Sequence, residues 1–223
     1  VLLAIDTSTS AISVALHDGT TTVAERTVLD ARAHGELVAP GIAGCLADAG
    51  LTAREVDAVV AGTGPGPFTG LRVGIVTARV FALARSIPVH GLCSLDALAH
   101  EAASTMLRGT DRFVVATDAR RKEVYWCGYR VKSGVLVRES DPAVCRPADL
   151  APLLDGRAVV GRGPVLYPEQ LGEPLDGAPL DVSAGSLADL AARRLARGED
   201  LSDTTPLYLR RPDAVPSAPA AGA

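Results

Sequence analysis

Aromatic side chains are scarce in this chain: three Phe, four Tyr and one Trp make up 4% of its 223 residues. A core must therefore be assembled from Val, Leu, Ile and Ala. Cysteine is scarce too. The four at positions 45, 93, 127 and 145 include no C-x-x-C pair, which excludes a zinc ribbon or a disulfide scaffold and reads as buried thiols in a reducing cytosol. The four histidines, at 17, 34, 90 and 100, share no helix-turn spacing around a carboxylate, whereas a zinc or iron site needs three or four converging ligands. His34 is expected at a helix start and His90 in a strand. No Ser/His/Asp or Cys/His set and no G-x-S-x-G turn suggests a hydrolase. No apolar run approaches the ~18–20 residues of a membrane span. Asp6 follows the first apolar stretch too soon for a secretory signal, so a cytoplasmic protein is expected. Lysine is limited to Lys122 and Lys132, and the net charge is −4. The basic clusters are short: Arg120-Arg121-Lys122, Arg193-Arg194 and Arg210-Arg211. A protein that holds RNA by itself presents a wide basic face, because phosphate neutralisation dominates affinity. Lacking one, this chain is expected to share any RNA contact with a partner.

What is present is hydrophobic pattern. Val1–Ile5 is a continuous apolar run, the mark of a buried strand, and Ile12, Val14 and Leu16 alternate with Ser13, Ala15 and His17. Asp18-Gly19 suits the positive φ angles of a tight hairpin turn, with Thr21–Val28 as the third strand. A helix over Gly35–Ala49 carries Leu37, Val38, Ile42, Cys45, Leu46 and Ala49 on one side, and Pro40 is expected in its first turn, where a missing N–H costs little. A strand at Asp57–Ala61, a helix at Leu71–Arg85 and a strand at Pro88–Leu92 follow. A helix capped by Ser94 then presents Leu95, Leu98, Ala99, Ala102 and Met106 inward. Three hairpin-linked strands extended by right-handed parallel crossovers make the ribonuclease-H-like layout.

The chain then begins again. Phe113–Asp118 echoes Leu2–Asp6, and with Asp118 standing 112 positions after Asp6, Glu123–Tyr129 falls ungapped on Ala11–His17. Val135–Arg138, a helix at Pro147–Leu154 and a strand at Ala158–Val160 continue the copy. One further helix, Leu187–Arg197, is opened by Ser186 with Asp189 as a capping box. The expected fold is α/β: a duplicated ribonuclease-H-like (actin-like) fold, mixed sheets flanked by helices, the second half reduced. The expected domains are 1–106 and 107–211, with the boundary near Leu107–Asp111 and a mobile Pro/Ala/Ser tail over 212–223.

The densest motif is Gly62–Gly74, rich in Gly and Pro between a strand and a helix. A phosphate cradle at the helix N-terminus is one reading. The lack of G-K-[ST] and the two prolines, which remove N–H donors, support the other, a rigid turn for close backbone passage. In the helix that follows, Gly70, Gly74, Ala78 and Ala82 form a strip of small side chains. Glycine costs about 1 kcal/mol in a helix, so the strip implies close approach by another helix, of this domain or of another subunit. Asp6-Thr7-Ser8-Thr9-Ser10 and its copy Asp118-Ala119-Arg120-Arg121-Lys122 stand where actin-like and sugar-kinase folds hold ATP phosphates and Mg²⁺, but neither has the glycine that lets amides reach a phosphate.

Four stretches together resemble the TsaB (YeaZ) family: Leu3-Ala4-Ile5-Asp6-Thr7-Ser8, Gly64-Pro65-Gly66-Pro67-Phe68-Thr69-Gly70-Leu71-Arg72-Val73-Gly74, Asp118-Ala119-Arg120-Arg121-Lys122-Glu123-Val124-Tyr125-Trp126 and Pro206-Leu207-Tyr208-Leu209-Arg210. That family has a catalytic paralogue, the TsaD (Kae1) type, which transfers a threonylcarbamoyl group to the adenosine next to the anticodon. The paralogue's metal-binding H-x-x-x-H pair corresponds here to Ser94 and Leu98, and its G-G-V-A-A-N string is missing, Gly161-Arg162-Gly163-Pro164 being nearest. The resemblance implies a non-catalytic accessory subunit that binds no metal or cofactor alone, meets ATP or ADP only within the assembled complex, and pairs with the paralogue through a four-helix contact. A TsaE-type P-loop ATPase joins that complex, tRNA is met indirectly, and a homodimer through the same face is compatible. On this basis Leu37, Val38, Ile42, Gly70, Gly74, Thr77 and Ala78 are assigned to the partner interface. Gly64, Gly66, Phe68, Thr69 and Arg72 form a candidate nucleotide or interface loop, and Asp118, Arg120, Arg121 and Glu123 a candidate complex or tRNA contact. The rival reading is an ATP-dependent or glycoprotease-like enzyme with Asp6 and Asp118 as metal carboxylates.

Overall fold

The computed structural model describes residues 1–30, 34–105 and 112–210. The expected boundary at Leu107–Asp111, Met106 and the 212–223 tail lie outside the described residues. Five strands form the first sheet: β1 (Leu2–Asp6), β2 (Ala11–His17), β3 (Thr22–Leu29), β4 (Ala58–Gly62) and β5 (Val89–Leu92), in the order β3-β2-β1-β4-β5. The first three are antiparallel, and β4 and β5 run parallel to β1, as the apolar pattern requires. Asp18 takes the N–H groups of Thr20 and Thr21 on its carboxylate, and of the Asp18-Gly19 pair only Gly19 adopts a positive φ, 101°.

Helices α1 (His34–Asp48) and α2 (Phe68–Arg85) cover one face of this sheet. There Leu3, Ile5, Val14 and Leu16 meet Val38, Ile42, Leu71 and Ile75. The second sheet contains β6 (Arg112–Asp118), β7 (Val124–Lys132), β8 (Val135–Arg138), β9 (Ala143–Cys145) and β10 (Ala158–Val160). Its order is β10-β6-β7-β8, with β9 also on β7, so among the described residues it lacks a counterpart of β5. Helices α4 (Pro147–Leu150), α5 (Arg162–Leu166) and α6 (Pro168–Leu171) lie on its outer side, where Leu150 and Leu171 meet Val114 and Ala116.

Between the sheets lie α3 (Ser94–Thr105) and α7 (Ala184–Ala196), and they are exchanged: α3 packs on β6, β7 and β8, while α7 packs on β1 to β4. Leu95, Leu98, Phe113, Tyr129 and Leu187 are buried in this shared layer, each such side chain worth about 1.5–3 kcal/mol relative to exposure. The last helix of each half thus covers the sheet of the other.

Several local expectations are corrected. Pro40 lies in the second turn of α1, which already opens at His34; its ring is on the exposed side, while Val38, Ile42 and Cys45 bury the opposite one. Helix α2 starts three residues before Leu71, directly after Pro67, whose fixed φ suits a helix entry. Ser94 is the first residue of α3 rather than its cap, and its oxygen accepts from the Gly64 N–H while its hydroxyl donates to Asp6. Helix α7 is capped by Ser183, which accepts from the Ser186 N–H at 3.0 Å, while Ser186 donates to the Ala97 carbonyl. Cys145 is half-buried rather than buried. The ungapped correspondence of the two halves also slips. Leu2 and Ala4 face the shared layer, as do Phe113 and Val115, so by strand alternation Thr117, not Asp118, repeats the facing of Asp6. The offset is 111 in the first strand and 112 in the second, where Ala15 and Cys127 both face inward.

The shared layer leaves one carboxylate poorly served. Glu101 of α3 has a buried Oε2 without a hydrogen-bond partner, and burial, then the nearby Glu25, push its pKa from 4.5 to about 7. A carboxyl whose pKa is raised by folding takes up protons on folding, so its contribution to stability falls as pH rises from about 4.5 to about 7. Glu101→Gln should therefore stabilise the protein at pH 8 and narrow its advantage as pH falls through that window; urea unfolding at pH 5 and pH 8 measures the difference.

Candidate functional site

The first turn, the Gly-Pro segment and the start of α3 meet at Asp6. This residue has no exposed surface. Its Oδ1 accepts from the Ser8 N–H at 2.8 Å and the Ser8 hydroxyl at 2.7 Å, and its Oδ2 accepts from the Ser94 hydroxyl at 2.6 Å. Ser94 Oγ in turn accepts from the Gly64 N–H at 3.0 Å. Burial raises the pKa of Asp6, and the Ser94 and Ser8 hydrogen bonds oppose that rise. Glycine is required where the segment passes this turn: a Cβ on Gly62 would lie 1.8 Å from Asp6 Oδ2, and one on Gly66 2.5 Å from the Ser8 carbonyl oxygen. The Gly-Pro segment is therefore a wedge seated on the first turn.

Actin-like folds place a Mg-nucleotide between these turns, and the residues present do not fit one. Asp6 is wholly buried and hydrogen-bonded by Ser8 and Ser94, Gly62 is packed against its Oδ2 and Gly66 against Ser8, and neither turn carries a glycine. Nearby, Arg162 and Asp181 form an ion pair at 2.5 Å; Asp181 adds to the rise at Asp6, and Asp118 to that at Arg162. The sequence reading missed this pair, for no pattern links a helix residue to a loop carboxylate nineteen positions on. At the positions of the paralogue's metal histidines, Ser94 bonds Asp6 and Leu98 is fully buried in the core. Among the described residues no three His, Cys, Asp or Glu side chains are placed to hold a metal.

The small-residue strip of α2 is spent inside the chain. Gly70, Gly74, Ala78 and Ala82 are buried, and Thr7 Oγ1 donates to the Gly70 carbonyl at 2.7 Å and accepts from the Gly74 N–H at 3.0 Å. Val38 and Ile42 likewise pack into the first sheet. The assignment of Gly70, Gly74, Ala78 and Val38 to a partner-facing surface is corrected by their burial, while Ile42 packs inward and keeps an edge in the groove between α1 and α2; at Gly74 glycine serves because the Thr7 side chain leaves no room for a methyl group. Of the assigned residues, Thr77 and Leu37 are half-buried. The outward face of α2 carries Val76, Val80 and Leu83, 53%, 59% and 80% exposed. Between α1 and α2 runs a groove of ≈ 530 Å³ lined by Ala39, Ile42, Ala43, Leu46, Val76, Thr77, Val80, Phe81 and Ala84. The signal was in the sequence: Val76, Val80 and Leu83 recur at helical spacing opposite the strip.

Phe68, Thr69 and Arg72 sit exposed on the first turns of α2, away from buried Gly64 and Gly66. The Arg72 guanidinium lies 4.6 Å from the Phe68 ring centroid, and Tyr208 packs against that ring at 5.0 Å. Tyr208 belongs to a terminal strap. Leu207 N–H bonds the Thr63 carbonyl, Arg79 holds Thr204, and Arg210 bonds the Ala119 carbonyl and pairs with Glu123. The strap thus brings the loop of α2 beside the second turn. In that turn Arg120, Arg121 and Lys122 have φ of 60°, 51° and 61°, a left-handed run costing about 1–2 kcal/mol per residue. Asp118 anchors it by accepting from the Arg120 N–H at 2.7 Å.

Two substitutions test this geometry. Gly74→Ala should cost ~1–3 kcal/mol by overpacking, since its methyl would lie 2.4 Å from Thr7 Oγ1. The same change should cost less on a Thr7→Ala background; additive costs in urea unfolding would count against the contact. Lys122→Gly should raise stability by roughly 0.5–1 kcal/mol, because the relief of left-handed strain exceeds the entropy glycine adds to the unfolded chain; thermal unfolding reads it directly.

Residues 27–195 match the family model described as "TsaD: tRNA N6-adenosine threonylcarbamoyltransferase". An uncharacterized Mycobacterium leprae protein is 43% identical over 97% of this chain, which spans 56% of that protein's length. The Escherichia coli tRNA threonylcarbamoyladenosine biosynthesis protein TsaB is 35% identical, with 94% of each chain covered. Among solved structures, YeaZ from Pseudomonas aeruginosa superposes with a TM-score of 0.76 at 32% identity, covering 93% of this chain and 99% of that one. On these matches, which span nearly the whole chain, the chain belongs to the TsaB (YeaZ) family.

Proposed function

We propose that this chain is a non-catalytic accessory subunit in the threonylcarbamoyl modification of the adenosine next to the anticodon of tRNA, binding and supporting a TsaD-type catalytic relative. The pathway follows from the name of the E. coli relative. The observation that supports the non-catalytic reading is the filled first turn: Asp6 is wholly buried and hydrogen-bonded on both oxygens by Ser8 and Ser94, so a metal or a reacting group has no open route to it. ATP or ADP then enters only where the assembled complex supplies the rest of a site, together with a TsaE-type P-loop ATPase. tRNA is met indirectly, in the cytoplasm.

Pairing with the catalytic relative is assigned to the outward side of α1 and α2, where Val76, Val80 and Leu83 flank an apolar groove. Exposed apolar area of this kind marks an association surface, and helices from a related fold would seat in it as a four-helix contact. The same face would serve a homodimer when the relative is absent, since the groove accepts an equivalent pair of helices.

In a reconstituted modification assay, omission of this chain should abolish or sharply lower product. Val76→Asp with Val80→Asp, both solvent-facing, should leave the monomer folded and weaken pairing by about tenfold or more, a loss of ~1.4 kcal/mol or more. Unchanged pairing by calorimetry would remove the interface assignment. ATP turnover by the isolated chain, lost in Asp6→Ala, would instead restore the enzyme reading.

A further inference from the structure

A further cleft lies away from the surfaces used above, on the other side of the first sheet from α1 and α2. It measures ≈ 550 Å³ and runs between strand β8 and the last turns of α7. Its walls carry Arg138, Arg193, Arg194 and Arg197 against the carboxylates of Asp96 and Glu199.

The guanidinium groups are held in place from behind. Asp96, with no exposed surface, accepts from Arg138 Nε and Nη2 at 2.6 and 2.7 Å, from Arg194 Nη2 at 3.0 Å and from the Tyr129 hydroxyl at 2.9 Å. Arg193 is tied by Nε to Asp189, and Arg197 by Nε and Nη2 to Glu199. In none of the four does a hydrogen bond among the described residues engage Nη1. Each guanidinium therefore keeps donors while its orientation is set, the arrangement that suits recognition of carboxylates. Opposite them, β8 is the last strand of its sheet. Its outer edge presents backbone groups without a ladder partner among the described residues, and Val135 and Val137 are 52% and 38% exposed beside it. An edge of that kind accepts another strand.

We propose that this cleft is a docking site for an extended acidic peptide segment of a partner protein, which adds a strand to β8 and sets alternate Asp or Glu side chains against the arginines. Strand addition supplies backbone hydrogen bonds, period-two spacing brings every second side chain to the arginine wall, and the intervening apolar residues cover Val135 and Val137. Single-stranded nucleic acid fits less well, because no Phe, Tyr or Trp ring lines the cleft and the one imidazole there, His100, is tied to Asp189. Since α1 and α2 lie on the opposite face of the first sheet, both surfaces can be occupied at once, and the proposal stands whether or not the function proposed above holds.

The test uses the full chain and a fluorescent blocked peptide of alternating Val and Glu, with two controls: the same peptide with Lys for Glu, and one with every second Val replaced by Pro to remove strand donors. Anisotropy should show saturable binding of the Val/Glu peptide alone. Hydrogen exchange should show added protection confined to β8. Arg193→Glu with Arg197→Glu, both exposed, should weaken binding by about tenfold or more. Circular dichroism and the unfolding midpoint report whether the variant is folded, and Arg193→Gln with Arg197→Gln gives an intermediate loss if it is not. No binding, equal binding of the Pro peptide, or displacement by inorganic phosphate at millimolar concentration would overturn strand addition. Displacement by a short single-stranded RNA with matching loss in the variant would assign the cleft to nucleic acid instead.

Discussion

A wholly buried carboxylate organises this molecule. Asp6 sits at the end of β1, where the first turn, the Gly-Pro segment and the start of α3 converge, and every oxygen lone pair it offers must be met from within. Ser8 closes the turn on it, and Ser94 reaches it from α3. Ser94 then takes the Gly64 N–H, which fixes the Gly-Pro segment, and that segment delivers α2 to Thr7. Each step follows from satisfying the polar group before it. Glycines at 62, 66 and 74 are what sterics leave possible around so crowded a centre.

The second constraint is the exchange of α3 and α7. Because each half covers the other's sheet, the apolar layer between them is common property, and neither sheet is buried on both faces without the other half. This explains how a reduced second half persists. Its outer side is served by short helices and its missing strand leaves an edge, but its inner face is supplied by α3. It also concentrates the polar exceptions, Asp96 with its arginines and Glu101 with Glu25, at the ends of these two helices.

Both turns are taken up in structural contacts. The first turn is sealed. The second holds three basic residues in left-handed conformations, exposed beside Arg72, Phe68 and Tyr208 and tethered by Arg210. Strain of that kind is tolerated where surrounding contacts over-determine the backbone. Here Asp118, Glu123 and the strap do so.

Sequence alone determined the strand-helix order, the parallel crossovers and the repeat of the pattern in the second half, because alternation, helical spacing and residue identity are local quantities. It also contained the outward stripe Val76, Val80 and Leu83, opposite the small-residue strip to which the interface was assigned. Only tertiary structure decided which face of α2 is spent on Thr7, that Ser94 serves Asp6 rather than its own helix, that Asp118 faces away from the layer Asp6 faces, and that α3 and α7 change places. Those outcomes depend on what stands opposite each side chain across tens of residues of sequence. A hydroxyl or a glycine looks the same in the chain whether its partner is water, a cap or a buried carboxylate.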